Sequence, residues 1–217
     1  MSHYQATPSE SSLDAEVLIV GAGISGIGAG IELIRRGHPS FILLEADQDL
    51  GGTWRDNTYP GVAVDIPFNS YCYSRETDYP WSRIFPTGNE IKSYVRHCAE
   101  KYGITHHIRY NAKVLGTRFD SDSDSWLTRL SSGAVLKSRY VISATGLLSQ
   151  PKLPAIPGLD TFTGKTMHSA RWDHSYDLGQ KRVAVIGTGA SAVQIIPEIA
   201  DTVKNLYVFQ RTPIWVG

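Results

Sequence analysis

Two glycine-rich segments, residues 21–26 and 187–192, have the residue types and spacing that bind phosphate groups. In such a segment the first glycine permits a tight turn, the second lets the backbone approach a pyrophosphate, and the third position lets a helix pack on a strand. The helix that follows offers N–H groups and the positive end of its dipole to the phosphates. We assign Gly21, Gly23, Ser25 and Gly26 to the first turn, and Gly187, Thr188, Gly189, Ala190, Ser191 and Ala192 to the second.

An acid follows the first turn and a base follows the second at the same distance. Glu45 lies 24 residues after Gly21, and Arg211 lies 24 residues after Gly187. A carboxylate accepts hydrogen bonds from a ribose diol and repels a 2′-phosphate, so the first turn suits FAD or NAD. Arg211, with Thr212 beside it, can bind a 2′-phosphate through charge-assisted hydrogen bonds. We therefore predict an FAD site followed by an NADPH site; an arginine merely solvated at a strand end is the alternative.

The elements around these turns predict an α/β fold. Each turn has the strand, turn, helix, strand context of a Rossmann unit. An amphipathic helix and a strand meander lie between the two units. The predicted elements are strands at 16–20, 41–45, 112–119, 125–130, 139–144, 181–186 and 206–209, and helices at 24–36, 89–102 and 191–200. We expect a Rossmann-like FAD-binding domain with an inserted β-meander, followed by the first β-α-β of a second, NADPH-binding Rossmann domain.

Two further stretches have little secondary-structure propensity. Residues 51–67 contain Gly51-Gly-Thr-Trp54, then Tyr59-Pro-Gly61 and an aspartate, Asp65, and composition alone predicts a Gly/Pro loop with one aromatic anchor. Residues 162–173, called here the fingerprint segment, follow the pattern F-x-G-x-x-x-H-x-x-x-W-D. The five residues of that pattern are Phe162, Gly164, His168, Trp172 and Asp173.

The fingerprint segment, placed between two dinucleotide turns, resembles the signature of the flavin-dependent Baeyer–Villiger monooxygenases, which are class B flavoprotein monooxygenases. The related flavin-containing monooxygenases share the Phe, Gly and His but generally lack the Trp-Asp ending, so Trp172 and Asp173 indicate the Baeyer–Villiger branch. Residues 51–65 resemble the flavin-contacting loop of the same family, although Asp56-Asn-Thr58 stands where many members have Trp-Asn-Arg. Ala144-Thr-Gly146 resembles the family's A-T-G motif.

The resemblance implies an FAD- and NADPH-dependent monooxygenase that oxygenates a ketone, a sulfide or an amine. Its implied mechanism is hydride transfer to FAD, capture of dioxygen as a C4a-peroxyflavin, and attack of that peroxide on a small-molecule substrate. It gives Asp65 a supporting role beside the flavin and His168 an organising role in the connection between domains. The FAD contacts that it implies beyond the first turn and Glu45 are Gly52, Thr53, Trp54, Asp65, Tyr71, Val114, Ala144 and Gly146.

The domain organisation follows from these motifs. We expect a disordered leader at 1–15, an FAD-binding domain at 16–149, a linker at 150–180 stiffened by three prolines, and the start of an NADPH-binding domain at 181–217. The resemblance runs from about Glu16 to Gly217, and the family's catalytic arginine belongs to a later part of its members. The chain is therefore expected to be an N-terminal portion, inactive alone, with a complementing C-terminal part as a candidate partner.

Composition excludes several classes of function. Lys and Arg together number 21, equal to Asp and Glu together, so no global field attracts nucleic acid or an anionic membrane. The apolar residues 17–34 include five glycines and Glu32, which favours a turn motif over a membrane span. Cys72 and Cys98 lack metal-type spacing, so we predict no metal site and two reduced thiols in a cytoplasmic protein.

Three other classes of protein share dinucleotide turns of this kind. A pyridine nucleotide–disulfide reductase needs a redox C-x-x-C or C-x-x-x-x-C motif, and Cys72 and Cys98 are too far apart in sequence to form one. A non-catalytic dinucleotide-binding remnant, or an NADPH–flavin reductase, would share both glycine turns. A yellow colour after purification, together with consumption of NADPH, distinguishes these classes.

Overall fold

The computed structural model describes residues 13–213, which form two compact units. The first unit contains residues 13–49 and 102–145, and the second contains residues 50–101 and 146–213. The sequence places residues 50–101 in the same domain as the first glycine turn, whereas their contacts group them with the residues after 145. Residues 1–12 of the expected leader, and residues 214–217 of the expected second domain, lie outside the described residues.

The first unit is built on one six-stranded sheet. Its elements are β1 (Ala15–Val20), α1 (Ile24–Arg35), β2 (Phe41–Leu44), β3 (Ile108–Arg109), β4 (Val114–Asp120), β5 (Ser125–Leu130) and β6 (Val135–Ser143). The strand order is β3-β2-β1-β6-β5-β4. β1 pairs in parallel with β2 and β6, and β2 pairs in parallel with β3. The predicted α/β class with an inserted meander is confirmed.

The meander is continuous with the parallel sheet, because β6 serves both. Its first half pairs antiparallel with β5, from Val135 opposite Arg129 to Ser138 opposite Trp126. Its second half pairs in parallel with β1, ending with Ser143 opposite Val20. The sequence predicted this strand only from Arg139, because Lys137 and Ser138 interrupt the apolar pattern before it. Backbone pairing with β5 extends the strand to nine residues.

The core of the first unit lies where α1 covers β1 and β2. Every residue of β2 is buried, as expected for a strand of a covered parallel sheet. Gly30 on α1 allows a close approach, since an added Cβ would lie 3.3 Å from both Phe41 and Ile104. The apolar stretch 17–34 is thus a strand, a turn and a helix. Within residues 13–213, no helix has the length and apolar character needed to cross a membrane.

The second unit contains a four-residue helix, a 14-residue helix and a β-α-β unit. Its main elements are α2 (Thr53–Asp56), α3 (Gly88–Lys101), β7 (Arg182–Ile186), α4 (Ala190–Ala200) and β8 (Asn205–Phe209). β7 and β8 pair in parallel. Their core includes Ile195 and Ile199 of α4, with Tyr59 and Val203 buried against them. Tyr59 therefore packs with a helix that follows it in sequence by more than 130 residues.

The helix α3 holds an aromatic loop through one tyrosine. Its predicted apolar face is confirmed, because Ile91, Tyr94, Val95 and Cys98 have no exposed surface. The Tyr94 hydroxyl accepts a hydrogen bond from the Tyr73 N–H at 2.7 Å and donates one to the Glu76 carbonyl at 3.1 Å. Burial raises the pKa of the Tyr94 hydroxyl well above its usual range, so it stays protonated and able to donate.

Candidate functional site

The first glycine turn connects β1 to α1 in a conformation that excludes side chains at two positions. Gly21 has a φ of +105°, and a Cβ there would lie 2.5 Å from the Ala144 carbonyl oxygen. A Cβ on Gly26 would lie 1.8 Å from the Gly21 carbonyl oxygen. α1 begins at Ile24 with Gly23 as its N-cap, and no side chain caps it. The first turn of α1 is thus shaped to present backbone N–H groups to an anion.

Glu45 binds this turn from the end of β2. Its side chain is buried, and one carboxylate oxygen accepts a hydrogen bond from the Ala22 N–H at 2.8 Å. The other oxygen accepts from the Asp47 N–H at 3.1 Å. Backbone N–H donors of this kind compensate the cost of burying a charge. The negative charge is therefore held beside the turn, where a ribose diol could donate to it.

The other predicted residues of the first unit lie on β4, after β6 and on α1. Val114 begins β4 and is half-buried. Ala144 follows β6, and its N–H donates to the Val20 carbonyl at 2.9 Å, so the A-T-G motif starts beside the end of β1. Ser25 lies in the first turn of α1 and is exposed. Ala144 and Ser25 thus lie with the first glycine turn, whereas Val114 lies opposite Leu130 in the meander.

In the second unit, Trp54, Tyr71 and Asp65 lie close together. The Trp54 indole N–H donates to the Tyr71 hydroxyl at 2.9 Å, and the two rings meet edge to face with centroids 5.6 Å apart. Burial raises the pKa of the Tyr71 hydroxyl, the Trp54 hydrogen bond opposes this, and the Asp65 charge adds to it. Thr53 and Asp65 are exposed, while Gly52 caps α2 with a φ of +52°. Gly146, also grouped in this unit, has a φ of +74°.

The second glycine turn repeats the backbone pattern of the first, with more room. Gly187 has a φ of +102°, and its N–H donates to the Phe209 carbonyl at 2.9 Å. α4 begins at Ala190 with Gly189 as its N-cap, and no side chain caps it. A Cβ on Gly187 or Gly189 would meet nothing within 4 Å. The third position of this turn is Ala192, where the first turn has Gly26.

The register of the strands corrects the comparison between Glu45 and Arg211. The Gly21 N–H donates to Leu44, the residue before Glu45, whereas the Gly187 N–H donates to Phe209, the residue before Gln210. The counterpart of Glu45 is therefore Gln210, and the predicted equivalence with Arg211 is wrong by one residue. The count failed because the chain from Gly187 to the end of β8 is one residue shorter than the chain from Gly21 to the end of β2. Sequence reasoning missed Gln210, which directly follows the predicted strand 206–209.

Gln210 contacts the second glycine turn, and Glu45 contacts the first. Its side-chain amide donates to the Thr188 hydroxyl at 3.4 Å, and Thr188 corresponds to Ala22 of the first turn. The counterpart side chain is thus neutral, and it does not repel a phosphate. Arg211 and Thr212 follow directly and are exposed.

The fingerprint segment lines an open cavity of about 430 Å³. Lys165 and Asp173 form an ion pair in its lining, and the Lys165 ammonium lies 5.8 Å from the centroid of the Tyr176 ring. Asp173 also accepts hydrogen bonds from the Ser175 N–H and hydroxyl. The Lys165 hydrogen bond, followed by those from Ser175, lowers the pKa of Asp173 to about 2. The cavity lining consists of Pro151, Leu153, Lys165, Thr166, Met167, His168, Arg171 and Asp173.

His168 caps a short 3-10 helix, Ser169–Arg171, within the fingerprint segment. Its Nδ1 accepts a hydrogen bond from the Ala170 N–H at 3.1 Å. A neutral imidazole that accepts at Nδ1 carries its proton on Nε2, so His168 keeps one donor for a further group.

The remaining fingerprint residues have packing roles. A Cβ on Gly164 would lie 2.5 Å from the tip of the Phe162 ring, so the ring would have to move to make room for it. The Phe162 side chain itself is exposed. Trp172 packs against the core formed by Tyr59, Ile195, Ile199 and Val203. In the fingerprint pattern, Trp172 thus packs against a core and Gly164 lies next to the Phe162 ring. His168 and Asp173 line the cavity.

Comparisons with known proteins agree with this arrangement. The chain is 47% identical over 200 residues to a Baeyer–Villiger monooxygenase of Streptomyces coelicolor, an alignment that covers 92% of this chain and 38% of the relative. It is 41% identical over 212 residues to a Baeyer–Villiger monooxygenase of Pseudomonas aeruginosa, with 98% and 40% covered. The chain thus spans about two fifths of the length of these relatives.

Solved structures give the same result. The crystal structure of OTEMO in complex with FAD and NADP superimposes with a TM-score of 0.86 at 38% identity, covering 94% of this chain and 40% of that one. Oxidized steroid monooxygenase bound to NADP superimposes with a TM-score of 0.83 at 37% identity, covering 93% and 39%. The family described as FMO-like, flavin-binding monooxygenase-like, matches residues 14–217. The resemblance read from the fingerprint segment is confirmed, and the chain belongs to the FMO-like family of flavin-binding monooxygenases.

Proposed function

We propose that this chain supplies the FAD-binding turn and the NADPH-binding turn of a monooxygenase of the Baeyer–Villiger type. The observation that carries the proposal is the pair of glycine turns with different side chains at the matched position. The first turn has a buried carboxylate, Glu45, and the second has the neutral Gln210 followed by Arg211. A cofactor with a free ribose diol suits the first turn, and one with a 2′-phosphate suits the second.

The residues of the first turn fit FAD. Gly21 and Gly26 leave no room for side chains, so the backbone of residues 21–26 can approach a pyrophosphate closely. The N-terminus of α1 would hold that pyrophosphate, and the Glu45 carboxylate would accept hydrogen bonds from the ribose diol. When bound, FAD supplies a hydride acceptor and the group at which dioxygen is activated.

The residues of the second turn fit NADPH. The N-terminus of α4, beyond Gly189, would hold its pyrophosphate. Arg211 would pair with the 2′-phosphate, and the Thr212 hydroxyl would donate a hydrogen bond to it. Gln210 supports this choice because it brings no charge that opposes the phosphate.

The residues of the second unit that precede α3 are proposed to serve the flavin by resemblance. Trp54 and Tyr71 form a hydrogen-bonded aromatic pair, and Asp65 lies near enough to affect the Tyr71 hydroxyl. Tyr71 accepts from Trp54, so its own proton is available to another acceptor. We propose that Asp65 orients polar groups beside the flavin and that His168, through its Nε2 proton, holds the connecting segment in place.

The substrates proposed are a ketone or a sulfide, together with dioxygen. The test is a purified preparation of the complete gene product, first examined for bound FAD by its absorbance. NADPH oxidation is then measured with ketones and sulfides under ¹⁸O₂. Labelled ester or sulfoxide supports the proposal. NADPH oxidation that yields only hydrogen peroxide would identify a flavin reductase instead, and absence of both FAD and NADP⁺ binding would reject the proposal.

A further inference from the structure

Gln194 on α4 binds the loop that follows α2. Its side-chain Oε1 accepts hydrogen bonds from the Tyr59 hydroxyl at 3.0 Å and from the Ala63 N–H at 3.3 Å. Its Nε2 donates to the Ala63 carbonyl at 2.9 Å. The amide therefore pairs with both backbone groups of Ala63, as a neighbouring strand would. Three of the four hydrogen bonds that a glutamine amide can make go to this one loop.

The contact is close as well as polar. Gly61 has a φ of +77°, and a Cβ there would lie 2.7 Å from the Gln194 carbonyl oxygen and 2.8 Å from Glu198 Cγ. Tyr59 is buried against Ile195 and Ile199 on the same helix. Only glycine at position 61 lets the loop approach α4 so closely, so the Tyr59-Pro-Gly61 sequence has a physical role in this contact.

The residues held by Gln194 lead directly to Asp65. Ala63 also forms an isolated antiparallel bridge with Thr87, and the Val64 N–H donates to the Pro86 carbonyl at 3.0 Å. Gln194 itself lies in the second turn of α4, where the Val193 N–H donates to the Gly189 carbonyl at 3.1 Å. The side chain that holds Ala63 thus lies only two residues beyond the second dinucleotide turn, residues 187–192.

We propose that Gln194 is a positioning residue that joins the second dinucleotide turn to the segment 59–65, so that a ligand at that turn also orders Ala63 and Asp65. This inference rests on the proposed binding of NADP at residues 187–192. A ligand that suppresses opening of the first turns of α4 also suppresses opening of any group whose hydrogen-bond partner is carried by those turns. The Ala63 N–H is such a group, because its acceptor is Gln194.

The test is hydrogen–deuterium exchange of the purified protein, with and without NADP⁺, at residue resolution for the Ala63 amide. In the parent protein, we expect NADP⁺ to slow exchange both in residues 187–192 and at Ala63. In Gln194→Leu, exchange at Ala63 should become at least tenfold faster and should no longer respond to NADP⁺. Protection of residues 187–192 by NADP⁺ should persist in that variant.

Two further variants keep the test decisive. Gln194→Glu retains the acceptor but cannot donate to the Ala63 carbonyl, and Tyr59→Phe retains the packing but loses one hydrogen bond; both should give intermediate exchange at Ala63. Either one replaces Gln194→Leu if that variant does not fold. The matched control is Glu198→Gln, one turn further along the same face of α4, which should leave Ala63 unchanged.

The outcomes separate this inference from the proposed function. Protection of neither residues 187–192 nor Ala63 in the parent would reject NADP binding at the second turn. Protection of residues 187–192 without protection of Ala63 would overturn only the inference. An equal increase of exchange throughout α3, β7 and α4 in Gln194→Leu would also overturn it, because the side chain would then have a general structural role.

Discussion

Glu45 is the residue on which the first site depends. It is buried, yet its carboxylate is compensated by two backbone N–H groups, those of Ala22 and Asp47. The same carboxylate therefore serves the fold, by holding the glycine turn, and the proposed function, by facing a ribose. Gln210 is its counterpart at the second turn and differs from it by one charge.

We expect Glu45→Gln to weaken FAD binding by about 1–3 kcal/mol, because a charged acceptor is replaced by a neutral one. Titration of the FAD-free protein with FAD, followed by fluorescence, measures the change. Glu32→Gln is the control, since Glu32 is an exposed acid of α1 that pairs with Arg35. Unchanged FAD affinity in Glu45→Gln would place the ribose elsewhere.

At the second turn, Arg211→Ala should lower kcat/KM for NADPH. The loss of transition-state stabilisation should be about 1.5–3 kcal/mol, the usual value of hydrogen bonds to a charged group. NADH should be used nearly as before. Gln210→Glu should act in the same direction, because it places a carboxylate at the position that Glu45 occupies in the first unit. Steady-state kinetics with both cofactors decide this, and equal losses for the two cofactors would contradict a 2′-phosphate contact.

At the scale of elements, the two turn-to-helix junctions differ in tightness. The third position of the first turn lies against the Gly21 carbonyl, whereas the second turn has space around Gly187 and Gly189. The aromatic loop of residues 73–81 shows a different kind of junction, because one hydroxyl of α3 satisfies two of its backbone groups. The first glycine turn and the Tyr94 contact each lead to a prediction about stability.

Gly26→Ala should destabilise the protein by about 3 kcal/mol, because the added methyl would overlap the Gly21 carbonyl and force the turn open. Urea denaturation followed by circular dichroism measures the loss. Gly116→Ala on β4 is the matched control, since a Cβ there meets nothing within 4 Å. Equal stability of the two variants would show that the turn relaxes without cost.

Tyr94→Phe should cost about 2 kcal/mol, because it removes the hydroxyl that accepts from the part-buried Tyr73 N–H and donates to the Glu76 carbonyl. Tyr140→Phe, in which the exposed ring of β6 loses its hydroxyl, should change stability by less than about 0.5 kcal/mol. Thermal denaturation of both variants gives the comparison. A loss in Tyr94→Phe no larger than in the control would mean that water replaces the hydroxyl.

At the scale of the whole molecule, neither compact unit is a continuous stretch of chain. Residues 13–49 need residues 102–145 to complete their sheet, and residues 50–101 supply Tyr59 to the core around α4. Both thiols are free cysteines, and Cys98 has no exposed surface. Reaction of Cys98 therefore reports on opening of the fold rather than on its surface.

Burial raises the pKa of the Cys98 thiol from 9.0 to about 11. Since the folded pKa is the higher one, the protonated thiol contributes stability that is fully present below pH 9 and is lost as the pH rises to 11. The stability difference between the parent and Cys98→Ala should therefore shrink over that range, as measured by urea denaturation at pH 8, 10 and 11. A difference that does not change with pH would mean that Cys98 ionises normally in the fold.

The sequence by itself determined the features that depend on short spacings. The glycine turns, their flanking strands and helices, the apolar face of α3 and the five-residue fingerprint were all read correctly, because each is set by local periodicity or by a fixed offset. The order of the two cofactors was also predicted, from the residue types at the strand ends. The residues proposed around the flavin, by contrast, came from resemblance and stay predictions.

Only the tertiary structure decided which distant residues meet. It replaced Arg211 by Gln210 as the counterpart of Glu45, because strand register, rather than a count through helix and loop, sets that position. It grouped residues 50–101 with residues 146–213 and brought Gln194 to Ala63, a pair 131 residues apart. Contacts of this kind leave no periodic signal in the sequence, since an amide side chain that completes a distant backbone pair looks like any polar residue on a helix.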